Sequence, residues 1–391
     1  MPVVDLFSGC GGLSRGFQNA GFEIMAAYDG WDAAVNCYNA NFQHQSHKLD
    51  LSNVELAVET IRQHAPTIII GGPPCQEFSN AGRRQEGERA DLTYKYAQII
   101  TDIMPTYFVM ENVPRVRESV AYSKARERYV EAGYGLTELV LDASRCGVPQ
   151  SRKRFFCIGA LNHPDNFMLD ALFENQSDEE RTVRSYFAEQ GIDLDIRVYY
   201  RHPTTYTRRA IFDVDSVAPT IRGVSRPKPS TYKFHPDDAC TVEERDSVRS
   251  LTQRERAIIQ TFPLDFTFDV PGLSNGDKEQ MIGNAVPVLL AQYVATGLHN
   301  YIEGANEPME ERSFAAWLRD EKDYSDRSIS DVFSRIKRAE KFLPNRNIDR
   351  YFIADLEENE EYSDLSSSVR SQIKKALQLK IAFEQADHNH G

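Results

Sequence analysis

Short apolar runs recur along the first part of the chain, separated by stretches whose apolar positions fall three and four residues apart. Residues 3–7, 22–28, 67–70 and 107–110 read as strands, each followed by a turn and a helical pattern. Strands that are apolar throughout and alternate with amphipathic helices predict an α/β fold with a doubly wound, mostly parallel sheet. Residues 136–141 and 154–161 then come as two strands with no helix between them, so the sheet is expected to close with an antiparallel edge.

From about residue 163 to 249 the helical period is lost and Arg, Tyr, Thr and Pro accumulate, with loops expected at Arg201-His202-Pro203 and Arg226-Pro227-Lys228-Pro229. Helical order returns after Leu251, where Thr252 and Glu255 stand at capping-box spacing, and continues through Asn284 to about Tyr301. Beyond Gly304 the chain becomes charged, with Ile329, Val332, Phe333 and Ile336 at helical spacing. Four regions are expected: an α/β domain at 1–162, an irregular surface-forming domain at 163–249, a returning segment at 250–303 and a helical extension at 304–391.

At 391 residues the chain is long enough to bury a core without covalent staples. Its cysteines, Cys10, Cys37, Cys75, Cys146, Cys157 and Cys240, are scattered singly, which argues against a disulfide framework and a metal site and fits a reducing compartment. The N-terminus carries no basic leader, and no apolar run approaches the roughly eighteen residues of a membrane span. A soluble, cytoplasmic protein is expected.

The net charge of −13 argues at face value against a nucleic-acid partner. The average hides an asymmetry, because Arg197, Arg201, Arg208, Arg209, Arg222, Arg226, Lys228 and Lys233 face only Asp213 and Asp215 within one stretch, a local net of about +6. Phosphate affinity follows this local field more than the distant acidic surface.

The chemistry concentrates at strand ends. Gly71 and Gly72 follow the apolar run at 67–70 and lead into Pro73-Pro74-Cys75, which presents a thiol at the edge of a parallel sheet where a ligand reaches it. A single cysteine is more often a small buried hydrophobe; here Gln76, Glu77, Ser79 and Asn80 end the burial at the thiol. Glu111, at the end of the strand at 107–110, faces the same crevice, because all parallel strands end on one edge. The first strand ends in Asp5-Leu6-Phe7-Ser8-Gly9-Cys10-Gly11-Gly12, a glycine turn that lets backbone approach a ligand, although its spacing is not Gly-x-Gly-x-x-Gly. Asp29, about twenty residues on, is placed to bind a ribose, and Asp50 an adenine amine. Taken singly either acid is an ordinary turn residue; with the turn they describe an adenosine site.

Asp5 to Gly12, Gly72-Pro73-Pro74-Cys75-Gln76, Glu111-Asn112-Val113, Gln150-Ser151-Arg152-Lys153-Arg154, Arg254 to Pro263 and Gly283-Asn284-Ala285-Val286-Pro287 together resemble the ordered motifs of the DNA cytosine-C5 methyltransferases, over about residues 1–303. The resemblance implies a class I, Rossmann-like methyltransferase fold. It gives Cys75 the role of nucleophile on cytosine C6 and Glu111 that of contact to the base's N3 edge, with Arg152 and Arg154 across the pocket and Arg154 near the base's O2. Phe7, Ser8, Gly9, Gly11, Gly12, Leu13, Asp29, Trp31, Asp50, Leu51, Pro74, Leu92, Asn284 and Val286 fall where the family binds S-adenosyl-L-methionine. Asp29 stands where the family more often has glutamate, a shorter reach.

The same resemblance makes double-stranded DNA the partner, with the target base flipped out. Residues 78–92, carrying Ser79, Arg83 and Arg84, have the composition of a lid over that base. Residues 163–249 take the place of the family's target-recognition region, with Arg201, Arg208, Arg209, Arg222, Arg226 and Lys228 as candidate DNA contacts, most of them to phosphate. The family's bacterial members suggest a modification enzyme encoded beside a restriction endonuclease, with a monomeric core. The extension, net about −5 from Glu303 onward, is expected to self-associate or dock a partner. Two other readings remain. A transfer-RNA branch of the family carries Cys-Phe-Thr, for which this chain offers Ala239-Cys240-Thr241; a DNA-binding regulator without catalysis has no need of Cys75, Glu111 and Arg154 together.

Overall fold

A computed structural model describes residues 1–74, 92–205, 207–304, 313–349 and 351–388. The first half builds β1 (Pro2–Leu6), α1 (Gly12–Asn19), β2 (Glu23–Asp29), α2 (Asp32–Asn39), β3 (Ser46–Lys48), α3 (Val54–Arg62), β4 (Ile68–Gly71), α4 (Leu92–Ile103), β5 (Tyr107–Asn112), α5 (Val120–Glu131), β6 (Tyr134–Asp142), a two-residue β7 (Gln150–Ser151) and β8 (Lys153–Leu161). Seven of these strands form one sheet in the order β3-β2-β1-β4-β5-β8-β6. The first five run parallel, and β8 is antiparallel to both β5 and β6.

Strand alternation sends side chains to two separate layers. Val3, Ile68, Ile70 and Val109 pack with α1 on one face, while Val4, Leu6, Ile69 and Phe108 pack with α3, α4 and α5 on the other. The expected antiparallel closing pair is present, with β6 at the edge and β8 inside it. Phe155, Phe156, Cys157 and Ile158 are all fully buried, so this strand takes the internal place and leaves the less apolar β6 outermost.

The region from 163 onward is also less irregular than its composition implies. It contains α6 (Leu169–Glu174) and α7 (Val183–Glu189), and Leu169, Leu172 and Phe173 of α6 belong to the same apolar cluster as α1 and the central sheet. Only then does the chain leave to form β9 (Val198–Tyr200), β10 (Ile211–Asp213), β11 (Ala218–Pro219) and β12 (Arg249–Ser250). Strands β10, β9 and β12 make a small sheet, whereas β11 pairs back onto β7.

The chain returns through α8 (Gln253–Ile259), started by the capping box of Thr252 and Glu255, then α9 (Asn275–Asn284) and α10 (Val288–Glu303). The stretch Asn275–Glu303 is long and apolar enough to cross a membrane by length and composition, against the expectation of no such run, but most of its apolar window is buried in the protein, as in a core helix. Helix α10 lies on α1 so closely that a methyl group on Gly16 would clash with Ala291.

The extension forms α11 (Phe314–Asp320), α12 (Asp326–Phe342), α13 (Phe352–Glu357), α14 (Glu360–Ser363) and α15 (Ser367–His388). The stripe of Ile329, Val332, Phe333 and Ile336 is buried, but in the same cluster as α6 and α10. This stripe is therefore covered by α6, α10 and the rest of that cluster. Asp326, at the start of α12, accepts the N–H of Val140 on the edge strand β6 at 3.0 Å and pairs with Arg117 and Arg319.

Candidate active site

The turn after β1 is built on unusual backbone. Phe7, Gly9 and Gly11 have φ of 56°, 56° and 94°, the left-handed region that costs glycine little and phenylalanine more. What holds the turn is Asp29 at the end of β2. Its Oδ2 accepts the Gly9 N–H and its Oδ1 the Trp31 N–H, both at 2.8 Å. Burial raises the Asp29 carboxyl above its ordinary value, and these N–H donors oppose that shift. The Gly30 N–H adds a third backbone donor to this carboxylate, whose remaining acceptor capacity is open to a ligand hydroxyl.

The predicted cofactor residues divide into two groups. Phe7, Ser8, Gly9, Asp29 and Trp31 gather around the turn, with open space beside Gly9. Asp50 is exposed at the mouth, its carboxyl lowered by hydrogen bonds from Ser52. Pro74 and Asn284 are exposed, and Leu92, at the start of α4, is half-buried. Gly11, Gly12, Leu13, Leu51 and Val286 instead pack behind: Gly11 lies against Phe42, Gly12 against the Val286 carbonyl, and Leu13 and Leu51 are in the core. Space beside Gly9, a carboxylate at the end of β2 and a second acid at the mouth fit an adenosine-bearing group.

Beneath the turn lies a feature the sequence reading did not single out. Asp5 is fully buried, accepts the Ser14 hydroxyl at 2.6 Å, and has its pKa pushed up to about 8 by burial. Ser14 in turn accepts from Tyr38.

Glu111 occupies the end of β5. Its Oε1 lies 2.8 Å from Arg154 Nε, and the register of β5 against β8 puts Phe156 opposite Glu111. Burial raises Glu111, while Arg154 and then Arg152 lower it. Asn112 donates to the Pro73 carbonyl at 2.9 Å, tying down the chain that leads to Cys75. A methyl group on Gly72 would approach Glu111 Oε2 to 3.1 Å, so that chain passes directly beside the carboxyl. Cys75, Ser79, Arg83 and Arg84 lie outside the described residues.

Arg152 lies close enough to Glu111 to lower its carboxyl, as expected of a residue across the pocket, but its hydrogen bonds go elsewhere. It is 1% exposed and donates to the carbonyls of Ile221 (2.8 Å), Gly283 (2.8 Å) and Ala285 (3.2 Å). A guanidinium committed to backbone is a strut, and it leaves Arg154 as the arginine beside Glu111.

The basic stretch divides in the same way. Arg201 donates to the Thr220 carbonyl and Arg222 to the His202 carbonyl, so both serve the fold of the region first. Arg197 is paired with Asp213 and Glu244. Arg209 lies over Phe212 and Lys228 over Phe234. The side chains of Arg208 and Arg226 carry no hydrogen bond or ion pair among the described residues.

A mostly parallel seven-stranded sheet with an internal antiparallel strand, carrying Asp29 and Glu111 at the carboxyl ends of β2 and β5, has the architecture of a class I methyltransferase. Residues 1–300 match the family of C-5 cytosine-specific DNA methylases. The chain is 50% identical over 309 residues to the type II methyltransferase M.HgiDI of Herpetosiphon aurantiacus, covering 79% of this chain and 96% of that protein. It is likewise 50% identical over 302 residues to M.HindV of Haemophilus influenzae, covering 77% and 97%. Among solved structures it resembles the Dnmt2 methyltransferase of S. pombe, with a TM-score of 0.60 at 21% identity, 78% of this chain and all of that one being covered. The chain belongs to the C-5 cytosine-specific DNA methylase family and is a sequence-specific DNA cytosine-C5 methyltransferase.

Proposed function

We propose that Cys75 is the nucleophile, Glu111 and Arg154 hold the target cytosine, and S-adenosyl-L-methionine is the methyl donor. Cytosine C5 is a poor nucleophile until a thiolate adds to C6. In this reading Cys75 makes that bond, and Glu111 contacts the N3 edge, where a carboxyl that keeps its proton longer than usual donates a hydrogen bond. Arg154 faces the base's O2 and, as a fixed cation, favours the thiolate. The cofactor supplies an electrophilic methyl group. Loss of the C5 proton and elimination of Cys75 then complete the exchange. Asp29 would bind the ribose and Asp50 the adenine amine, with Trp31 packing nearby.

The observation that carries this reading is the ion pair of Glu111 with Arg154 beside the Gly72-Pro73-Pro74 turn. Two elements of the proposed constellation meet beside the segment that precedes Cys75 in the chain. Arg208, Arg209, Arg226 and Lys228 are the DNA contacts we favour, acting mainly on phosphate. We further place the enzyme in the cytoplasm as the modification half of a restriction system, as the type II relatives suggest.

The test uses a duplex carrying 5-fluorocytosine at the target position. Fluorine cannot leave as a proton does, so the Cys75 adduct persists and a denaturation-resistant complex forms in the presence of S-adenosyl-L-methionine. The same complex in Cys75→Ser, or its absence from the wild type on a duplex it methylates, would refute the assignment.

A further inference from the structure

The recognition segment and the cofactor-side turn meet at one buried point. Arg152 donates to Ile221 on one side and to Gly283 and Ala285 on the other. Gln150 accepts the Ile221 N–H at 2.7 Å and donates to Gln260 at 2.8 Å, while Gln260 donates to Ile282 at 2.5 Å. Arg152, Gln150 and Gln260 are each within 1% of complete burial. Their hydrogen bonds serve both polar groups of Ile221 and the carbonyls of Ile282, Gly283 and Ala285. The two backbones also touch, since a methyl group on Gly283 would clash with Arg222 and Gly223. A second fastening lies alongside: the Ser225 N–H donates to Glu279 Oε2 at 2.7 Å.

We propose that Arg152 and Gln260 are positioning residues that make the recognition segment at 221–225 and the turn at 282–286 move as one body, so that duplex binding and cofactor binding reinforce each other. The physical reason is the cost of separation. Parting the segments would leave buried carbonyls and a buried guanidinium unpaired, so a displacement of either is transmitted to the other. A duplex that holds the segment at 221–225 therefore also holds Asn284, the exposed residue of the turn at 282–286. Linkage requires the effect to be reciprocal, and couplings of this kind amount to roughly 5- to 150-fold in affinity.

The inference rests on the assignment of 282–286 to the cofactor side and of 221–225 to the DNA side. It is tested by measuring four dissociation constants: S-adenosylhomocysteine with and without a duplex carrying the mapped methylation site, and that duplex with and without S-adenosylhomocysteine. Wild type is expected to show the same enhancement, at least about fivefold, in both directions. Arg152→Met should bring the enhancement to within twofold of unity, with Arg152→Lys intermediate. Should Arg152→Met fail to fold, Gln260→Leu is expected to give the same loss. A variant that keeps the full enhancement while losing methylation would overturn the proposal and return Arg152 to the base. Wild type without any enhancement would overturn it equally. Wild type that binds neither ligand would refute the functional assignment beneath it.

Discussion

Arg154 Nε stands 2.8 Å from Glu111 Oε1, with 14% and 11% of the two side chains exposed. A pair this sheltered costs desolvation on both sides, and removing one partner leaves the other buried and unpaired. Burial raises Glu111 and Arg154 opposes it. In Arg154→Met burial acts with less opposition, so the Glu111 carboxyl should titrate at higher pH than in wild type. Carboxyl carbon chemical shifts followed against pH read this directly. Methyl transfer should fall by about 10²- to 10⁴-fold. An unmoved Glu111 titration would show that the pair is not what sets its protonation.

The pH dependence of stability should carry the mark of Asp5. Its folded value is raised from 3.8 to about 8, and burial is the main cause. Between those two values the folded state holds a proton that the unfolded state has released, so stability falls as pH rises through this window and levels off above it. Asp5→Asn removes that slope. Relative to wild type the variant should gain stability steadily from pH 4 to pH 8, by up to ~5 kcal/mol at about 1.4 kcal/mol per pKa unit. Urea unfolding at four pH values checks it; parallel curves for the two proteins would contradict it.

The strands were legible because their residues report burial directly: the apolar run at Ile68, Ile69 and Ile70 has only one stable place, between two other strands. The place of β8 was not, since a pattern of apolar residues marks a strand as internal without naming its neighbours. Glu111 and Asp29 were legible as strand-end acids. Arg152 and Arg154 look alike in sequence, and only the crossing of Ile221 and Gly283 above Arg152 separates a strut from a pocket residue. Gln150 and Gln260 were legible only as members of two separate motifs, being 110 positions apart and joined by one hydrogen bond. The stripe on α12 was legible by its helical spacing, but what covers it was not, because its partner α6 lies in a stretch whose composition conceals a helix.

The extension should be needed for a stable catalytic domain. Phe333 stacks on Phe173 with ring centroids 5.8 Å apart. Phe333→Ala should cost about 3–5 kcal/mol. A chain ending at Gly304 would expose the apolar side chains of α6 and the Val140 N–H, and should aggregate, as light scattering would detect. A truncated protein that is monomeric and as stable as the full chain would show that the extension serves something else.

Arginines in the basic stretch should separate by role. Arg208→Ala should weaken duplex binding and reduce the slope of log affinity against log salt by about one, without changing the site methylated. Arg201→Ala removes donors from the Thr220 carbonyl and should lower the melting temperature as well. Binding titrations at three salt concentrations, with melting curves, distinguish them. Equal loss of stability in both would contradict the division.

Methylation of cytosine at C5 in a short duplex sequence should depend on Cys75. Expression of wild type and Cys75→Ser in a bacterial host free of cytosine methylation, followed by bisulfite sequencing of the host genome, tests it most directly. Complete methylation of one short motif is expected from wild type and none from Cys75→Ser. An unmethylated genome in cells holding soluble wild-type protein, or full methylation by Cys75→Ser, would contradict it.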